Sequence, residues 1–146
     1  MIALDTDVLA IHHLFTWDSR REVNELVFAD AKARLCTTIH NVMELSGLFA
    51  VAGFQEKAET VVDTYMKSKE VSVLLGEYPS DWGEYVSSAV RCIGKGLSYG
   101  DALIALTLEQ SEVESLVTWN KKHFDGKIKL TVETPKEFLE RIKLER

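Results

Sequence analysis

MIALDTDVLA, residues 1–10, opens with four apolar residues and then places two aspartates, Asp5 and Asp7. Met1 to Leu4 shows no alternation of apolar and polar positions. Such a run reads as a strand buried on both faces, the state of a strand in a parallel sheet covered by helices. From Asp7 to Phe15 the chain reads as a short helix. A strand that ends on an acid and feeds a helix points to the carboxyl edge of a parallel sheet, where open α/β proteins hold their ligands.

The rest of the chain extends this alternation. Ser19-x-x-Glu22 has the spacing of a capping box, followed at helical spacing by Val23, Leu26, Val27 and Ala31. Leu35–Thr37 reads as a second strand. Val42, Leu45, Phe49 and Ala52 form the next helical stripe, with Gly53 as its stop, and Ala58, Val61, Val62 and Tyr65 another. Val71–Leu75 reads as a strand. Ser80 is placed to cap a helix whose apolar face is Trp82, Tyr85, Val86, Ala89, Val90 and Ile93, ended by Gly94 and Gly96. Ser98 opens a helix that is apolar almost all round from Ala102 to Leu108, the pattern of a buried helix. Leu116–Thr118 and Lys129–Val132 read as short strands, and Thr134-Pro135-Lys136-Glu137 as a strong helix start. Strands alternating with helices imply a mostly parallel central sheet flanked by helices, an α/β chain of three layers.

The sequence has 146 residues with no Gly/Ser tract, low-complexity stretch or fixed-period repeat, so one domain over 1–146 is expected. Its longest apolar run without a charge, Leu45–Phe54, is too short to span a membrane. No leader pattern of basic, apolar and small residues opens the chain, so a cytoplasmic protein is expected. Cys36 and Cys92 lie outside any CxxC pair and read as two reduced, buried thiols rather than a zinc framework. The net charge of −6 argues against non-specific binding to phosphates. Local basic groups count for more than the total, and Lys121, Lys122, Lys127 and Lys129 make one, Arg20 and Arg21 another.

Four positions offer oxygen at element edges or inside apolar segments: Asp5, Glu44, Asp101 and Asn120. Each also has an ordinary structural role. Asp5 can cap the helix that follows it, and Asp7 can complement that helix's dipole. Glu44 is the one carboxylate between Arg34 and Glu56, yet it can lie on a solvated helix face. Asp101 completes a capping spacing with Ser98, on a helix whose burial makes an unpaired carboxylate costly. Asn120 suits a turn, and Thr118 a brace beside it. Oxygen donors of this kind suit hard divalent cations. His12 and His13 are adjacent on a helix, face different directions, and read as partly buried helix residues rather than an acid–base pair.

Four segments, in order and spread over nearly the whole chain, resemble the PIN-domain family, and within it the VapC-type toxins of toxin–antitoxin pairs. MIALDTDVL resembles the first strand and acid (Asp5), and TIHNVMELSG the helix with the second acid (Glu44). LSYGDALIAL resembles the segment with the third acid (Asp101). LVTWNKKHF resembles the motif in which Thr-x-Asp-x-x-Phe is usual. Thr118 and Phe124 fit that motif with one extra residue, and Asn120 stands where an acid is usual. The resemblance implies a Mg²⁺- or Mn²⁺-dependent endoribonuclease. Asp5, Glu44 and Asp101 would hold the metal, with Asn120 beside them and Thr6, Asp7 and Thr118 in support. Lys121 and Lys122 would meet RNA phosphates or simply sit in a solvated loop. Partners implied are RNA, a small antitoxin and a second copy of the chain.

Two other readings stand beside this one. Asp5-x-Asp7 after a strand also looks like the nucleophile motif of haloacid-dehalogenase-type phosphatases, although Val8 replaces the usual glycine. Asn120 and the acidic net charge also suit a catalytically weakened module that binds RNA or protein.

Overall fold

All three residues of β1 (Ile2–Leu4) are buried, and their side chains alternate between two separate cores. Ile2 and Leu4 join one apolar cluster and Ala3 the other. The computed structural model describes residues 1–30, 34–77 and 79–145. Around β1 it arranges β2 (Leu35–Thr38), β3 (Val71–Leu74), β4 (Ser115–Val117) and β5 (Thr131–Glu133) in the order β3-β2-β1-β4-β5, with every neighbouring pair parallel. Unbroken apolar strands are explained by this: both faces of the sheet lie under helices.

On the face of Ile2 and Leu4 pack α1 (Thr6–His13), α2 (Arg21–Phe28), α3 (Ile39–Val51), α4 (Gln55–Met66) and α7 (Pro135–Leu144), through Val8, Leu9, Val27, Leu45, Tyr65 and Phe138 among others. On the face of Ala3 pack α6 (Tyr99–Glu109) and part of α5 (Trp82–Gly94), with Ile104, Leu108, Cys92 and Phe124. The three-layer α/β/α architecture read from the sequence is the one found. Cys36 and Cys92 are free and buried, and burial pushes the Cys36 thiol up to about 11. Among the described residues no helix is long and apolar enough to cross a membrane.

Local signals held where a short polar side chain stood at a strand–helix junction. Thr134 and Glu137 form the full capping box at the start of α7. That helix is further tied to β5 by a two-pronged pair, Arg141 Nε and Nη2 on the Glu133 carboxylate at 2.7 and 2.9 Å. Two details differ from the sequence reading, and a third reading is untested. Ser19 does not cap α2, whose N-terminal neighbour Arg20 is held by the Asp18 carboxylate, a stronger acceptor for a cation than a hydroxyl. Asp81, not Ser80, caps α5. Ala31 lies outside the described residues.

The larger difference is the face of α5. Ala89 and Cys92 are buried, while Trp82, Val86, Val90 and Ile93 remain 74%, 52%, 57% and 40% exposed. α5 leans on α6, and of the stripe read from the sequence only Ala89 is buried and Tyr85 half-buried, with Cys92, outside that stripe, buried beside them.

Strand order fixes where a ligand can sit. From β1 the chain proceeds through β2 to β3 on one side, then returns to β4 and β5 on the other. The reversal leaves a crevice beyond the carboxyl ends of β1 and β4, the topological switch point of such sheets.

Candidate active site

Asp5 follows β1 directly and Thr118 follows β4, so the switch point brings them together across a separation of 113 residues. Asp5 is buried, yet its carboxylate is well supplied with donors. The Thr6 backbone N–H and the Asn41 side-chain amide reach Oδ1 at 2.8 and 3.0 Å, and the Thr118 hydroxyl reaches Oδ2 at 2.7 Å. Capping and site-building are therefore the same act: Asp5 is the N-cap of α1 and also the floor of the crevice.

Burial comes first in setting its charge. Loss of water, then the neighbouring Asp7 carboxylate, push the Asp5 carboxyl up to about 7 against the hydrogen bonds from Thr118 and Thr6, and Asp101 adds to the push. Burial also raises the Asp7 carboxyl. Glu44 is raised too, by partial burial and then by Asp101, against its bond from Thr6. These effects link Asp5, Asp7, Glu44 and Asp101 into one electrostatic cluster.

Thr6 joins two of the acids. Its hydroxyl donates to Glu44 Oε2 and accepts from the Asn41 amide, which also serves Asp5. Glu44 projects from the exposed side of α3 toward the start of α6. There a Cβ on Gly100 would lie 2.7 Å from Glu44 Oε1, so only glycine leaves that carboxylate its present place. Asp101 has the Ser98 hydroxyl as acceptor for its own N–H, but its carboxylate faces His123, Nδ1 to Oδ2 at 3.6 Å.

Asp7 does more than complement a dipole. Its Oδ2 accepts from the backbone N–H groups of Trp119 and Asn120, both at 3.0 Å, and stands 3.2 Å from the Thr118 hydroxyl. It thereby holds the loop after β4 against the start of α1. Its Oδ1 is buried, and among the described residues no hydrogen-bond partner meets it within bonding geometry. Asn120 is brought to this edge by its backbone, and its side chain is exposed. Lys121 is engaged by Glu137 at 3.0 Å, and Lys122 is exposed.

Asn41 and His123 are the residues that the sequence reading missed. Asn41 carries a legible signal, since Thr38-x-x-Asn41 forms a capping box across the β2–α3 junction. His123 carries none, because its contact with Asp101 exists only once the loop after β4 has folded back.

The donor chemistry of this edge suits a hard divalent cation: the acids Asp5, Asp7, Glu44 and Asp101 all offer oxygen, with the His123 ring as a nitrogen beside Asp101. The buried Asp7 Oδ1, which no described residue meets within hydrogen-bonding geometry, and the carboxyl of Asp5, raised by burial and by Asp7, are compatible with a cation at this edge. Among the described residues, however, no group of three or more His, Cys, Asp or Glu is already arranged to hold a metal ion. The carboxylates are instead engaged by Thr6, Asn41, Thr118 and His123.

No family model and no curated protein matches this sequence. Solved structures do match it. A toxin–antitoxin complex from Klebsiella pneumoniae superposes with a TM-score of 0.62 at 18% identity, over 92% of this chain and 98% of that one. VapC20 of Mycobacterium tuberculosis, a sarcin-ricin loop cleaving toxin, gives 0.60 at 17%, over 86% and 91%. FitAcB from Neisseria gonorrhoeae gives 0.59 at 18%, over 93% and 99%. The chain has the fold of a VapC-type PIN domain.

In this PIN fold the raised Asp5 carboxyl has a measurable consequence for stability. The folded chain keeps a proton on Asp5 between about pH 4 and 7 that the unfolded chain has lost. Stability from this group is therefore full below about pH 4 and is lost as pH rises toward 7, by at most roughly 1.4 kcal/mol per unit. His13, lowered to about 4 by desolvation, acts in the opposite sense, so the readout is a difference. In EDTA, urea unfolding of Asp5→Asn should gain on the wild type steadily from pH 5 to pH 7. A gap that stays constant over that interval contradicts the assignment.

Proposed function

We propose that this chain is a Mg²⁺- or Mn²⁺-dependent endoribonuclease, the cytoplasmic toxin of a toxin–antitoxin pair, which hydrolyses RNA phosphodiester bonds. The observation that carries this is the coupled acid cluster of Asp5, Asp7, Glu44 and Asp101 at the switch point of a PIN fold. Two of the matching structures are toxin–antitoxin or toxin proteins by description, which supports a small antitoxin as partner.

Asp5, Glu44 and Asp101 are the residues that would hold the cation. A divalent cation, when bound, lowers the pKa of water and offsets charge on the phosphate. Asp5 stays fixed through Thr6, Asn41 and Thr118. Thr6 also aims Glu44. Asp7 keeps the Thr118–Asn120 loop in register, so that the Asn120 amide, exposed at the rim, can orient water. A neutral Asn120 leaves the cluster with less negative charge than the family pattern, which favours one held ion over two. Lys122 is the better placed of the two lysines to meet a phosphate, since Lys121 is tied to Glu137. The same neutral Asn120, with the net charge of −6, favours the second reading, a module that binds RNA or protein without cutting it.

The test is cleavage of a mixed RNA pool in Mn²⁺ or Mg²⁺ and in EDTA. Cleavage is expected only with metal, and Asp101→Asn should slow it by about 100-fold or more. Gly100→Ala should slow it by about 10-fold through displacement of Glu44, with little change in melting temperature because the Glu44 tip can swing away. Cleavage that survives EDTA or Asp101→Asn contradicts the proposal, and binding without cleavage supports the second reading.

A further inference from the structure

Trp119 stands in the loop after β4, yet its ring is held in one place. Its backbone N–H donates to Asp7 Oδ2 at 3.0 Å, and its indole Nε1–H donates to the Asn24 side-chain oxygen at 3.0 Å. Asn24 is fully buried in α2, and its own amide donates to the Val8 carbonyl at 3.0 Å. A buried amide is costly unless it is paired. Here both of its polar ends are used, one to tie α2 to α1 and the other to fix the indole. Over that indole lies the Arg20 guanidinium, with Cζ 5.4 Å from the ring centroid.

What Arg20 has left to offer is a flat face. Its Nε and Nη2 donate to the two Asp18 oxygens at 2.9 and 2.7 Å. The side-chain bonds, then the bond from the Arg20 backbone N–H, hold the Asp18 carboxyl down at about 2, so the pair stays ionised on both sides near neutral pH. A phosphate seeks an unmatched charge and an open fork of donors, and Asp18 has taken both. The Arg20 side chain is nonetheless 46% exposed. With one face on Trp119 and one edge on Asp18, the exposed part is the outer face of the plane. A fixed guanidinium plane is a surface on which an unpaired base stacks. Trp17, on the same short link between α1 and α2, offers another. It is 78% exposed, and Phe15 meets it edge-on, with centroids 5.9 Å apart and planes at 77°.

The stack adjoins the acid cluster, since Asp7 Oδ2 accepts from Trp119 and Asn120 in succession. We infer that the α1–α2 link is a base-stacking platform for RNA, taking one unpaired base on the outer face of Arg20 and another on Trp17. The choice of RNA as ligand rests on the nuclease reading; the platform itself requires no cutting. Stacking is tolerant of sequence because every base has a π-face. The platform therefore selects unpaired over paired bases. It also suits a chain of net charge −6, which draws little affinity from phosphates.

Fluorescence anisotropy tests it, with a labelled mixed-sequence RNA of about 15 nucleotides, single-stranded or annealed to its complement. Mg²⁺ is present, and the Asp101→Asn background keeps the strand whole. The single strand should bind about 10-fold more tightly than the duplex. Arg20→Ala and Trp17→Ala should each weaken single-strand binding about 10-fold. Arg20→Lys should weaken it nearly as much, because lysine keeps the charge and loses the plane, while Trp17→Phe should keep most of the affinity. Circular dichroism establishes that each variant is folded. Equal binding of the duplex, full affinity in Arg20→Lys, or no loss in the alanine variants overturns the inference and leaves the nuclease reading standing. No metal-dependent cleavage by the wild type, with these binding differences present, overturns the nuclease reading alone and supports the platform. No single-strand binding at about 100 μM overturns the inference and assigns the exposed Trp17 to a protein partner.

Discussion

Everything at the carboxyl edge of the sheet is arranged around one buried carboxylate. Asp5 ends the central strand, so it cannot reach bulk water, and burying a charge is costly unless donors or a cation replace the water. Three hydrogen bonds, from Thr6, Asn41 and Thr118, replace part of it. They do not suffice: burial first, then Asp7 and to a smaller degree Asp101, push the carboxyl up to about 7. A fold optimised only for stability would place an amide or an apolar residue here. The chain instead keeps an acid and surrounds it with more acids, a local conflict of the kind that marks functional sites.

Much of this was legible in the sequence for a simple reason. Strands buried on both faces lose their alternation, and acids at their ends then stand out, so Asp5 and the position of Thr118 could be read directly. Asp101 was legible because Ser98 fixed the helix start, and Glu44 because its surroundings held no other charge. What could not be read depends on contacts across long separations. Asp7 looked like a first-turn acid, and its hold on the loop at Trp119 and Asn120 spans 112 and 113 residues. His123 meets Asp101 only through the same loop. Asn120 followed its backbone to the right edge, but the hydrogen bonds that bring it there are made by its main chain.

α5 shows the opposite failure. Its apolar period was legible but its orientation was left unread, since periodicity reports that a helix has an apolar face without saying whether the fold buries it. Along α5 the buried side chains are Ala89 and Cys92, with Tyr85 and Ser88 half-buried. α6 thereby links two surfaces: its first turn carries Asp101 into the acid cluster, and its outer side carries α5.

The proposed function requires that the Asp5 cluster hold a divalent cation. It is tested most directly by calorimetric titration of Mn²⁺ into the protein at pH 6.5, in two buffers of different ionisation enthalpy. Binding should expel the proton that Asp5 holds at this pH, so the account predicts release approaching one proton per ion, and Asp5→Asn should abolish both the binding and the release. Binding with no proton released and unchanged in Asp5→Asn, or no binding at millimolar Mn²⁺, would contradict it.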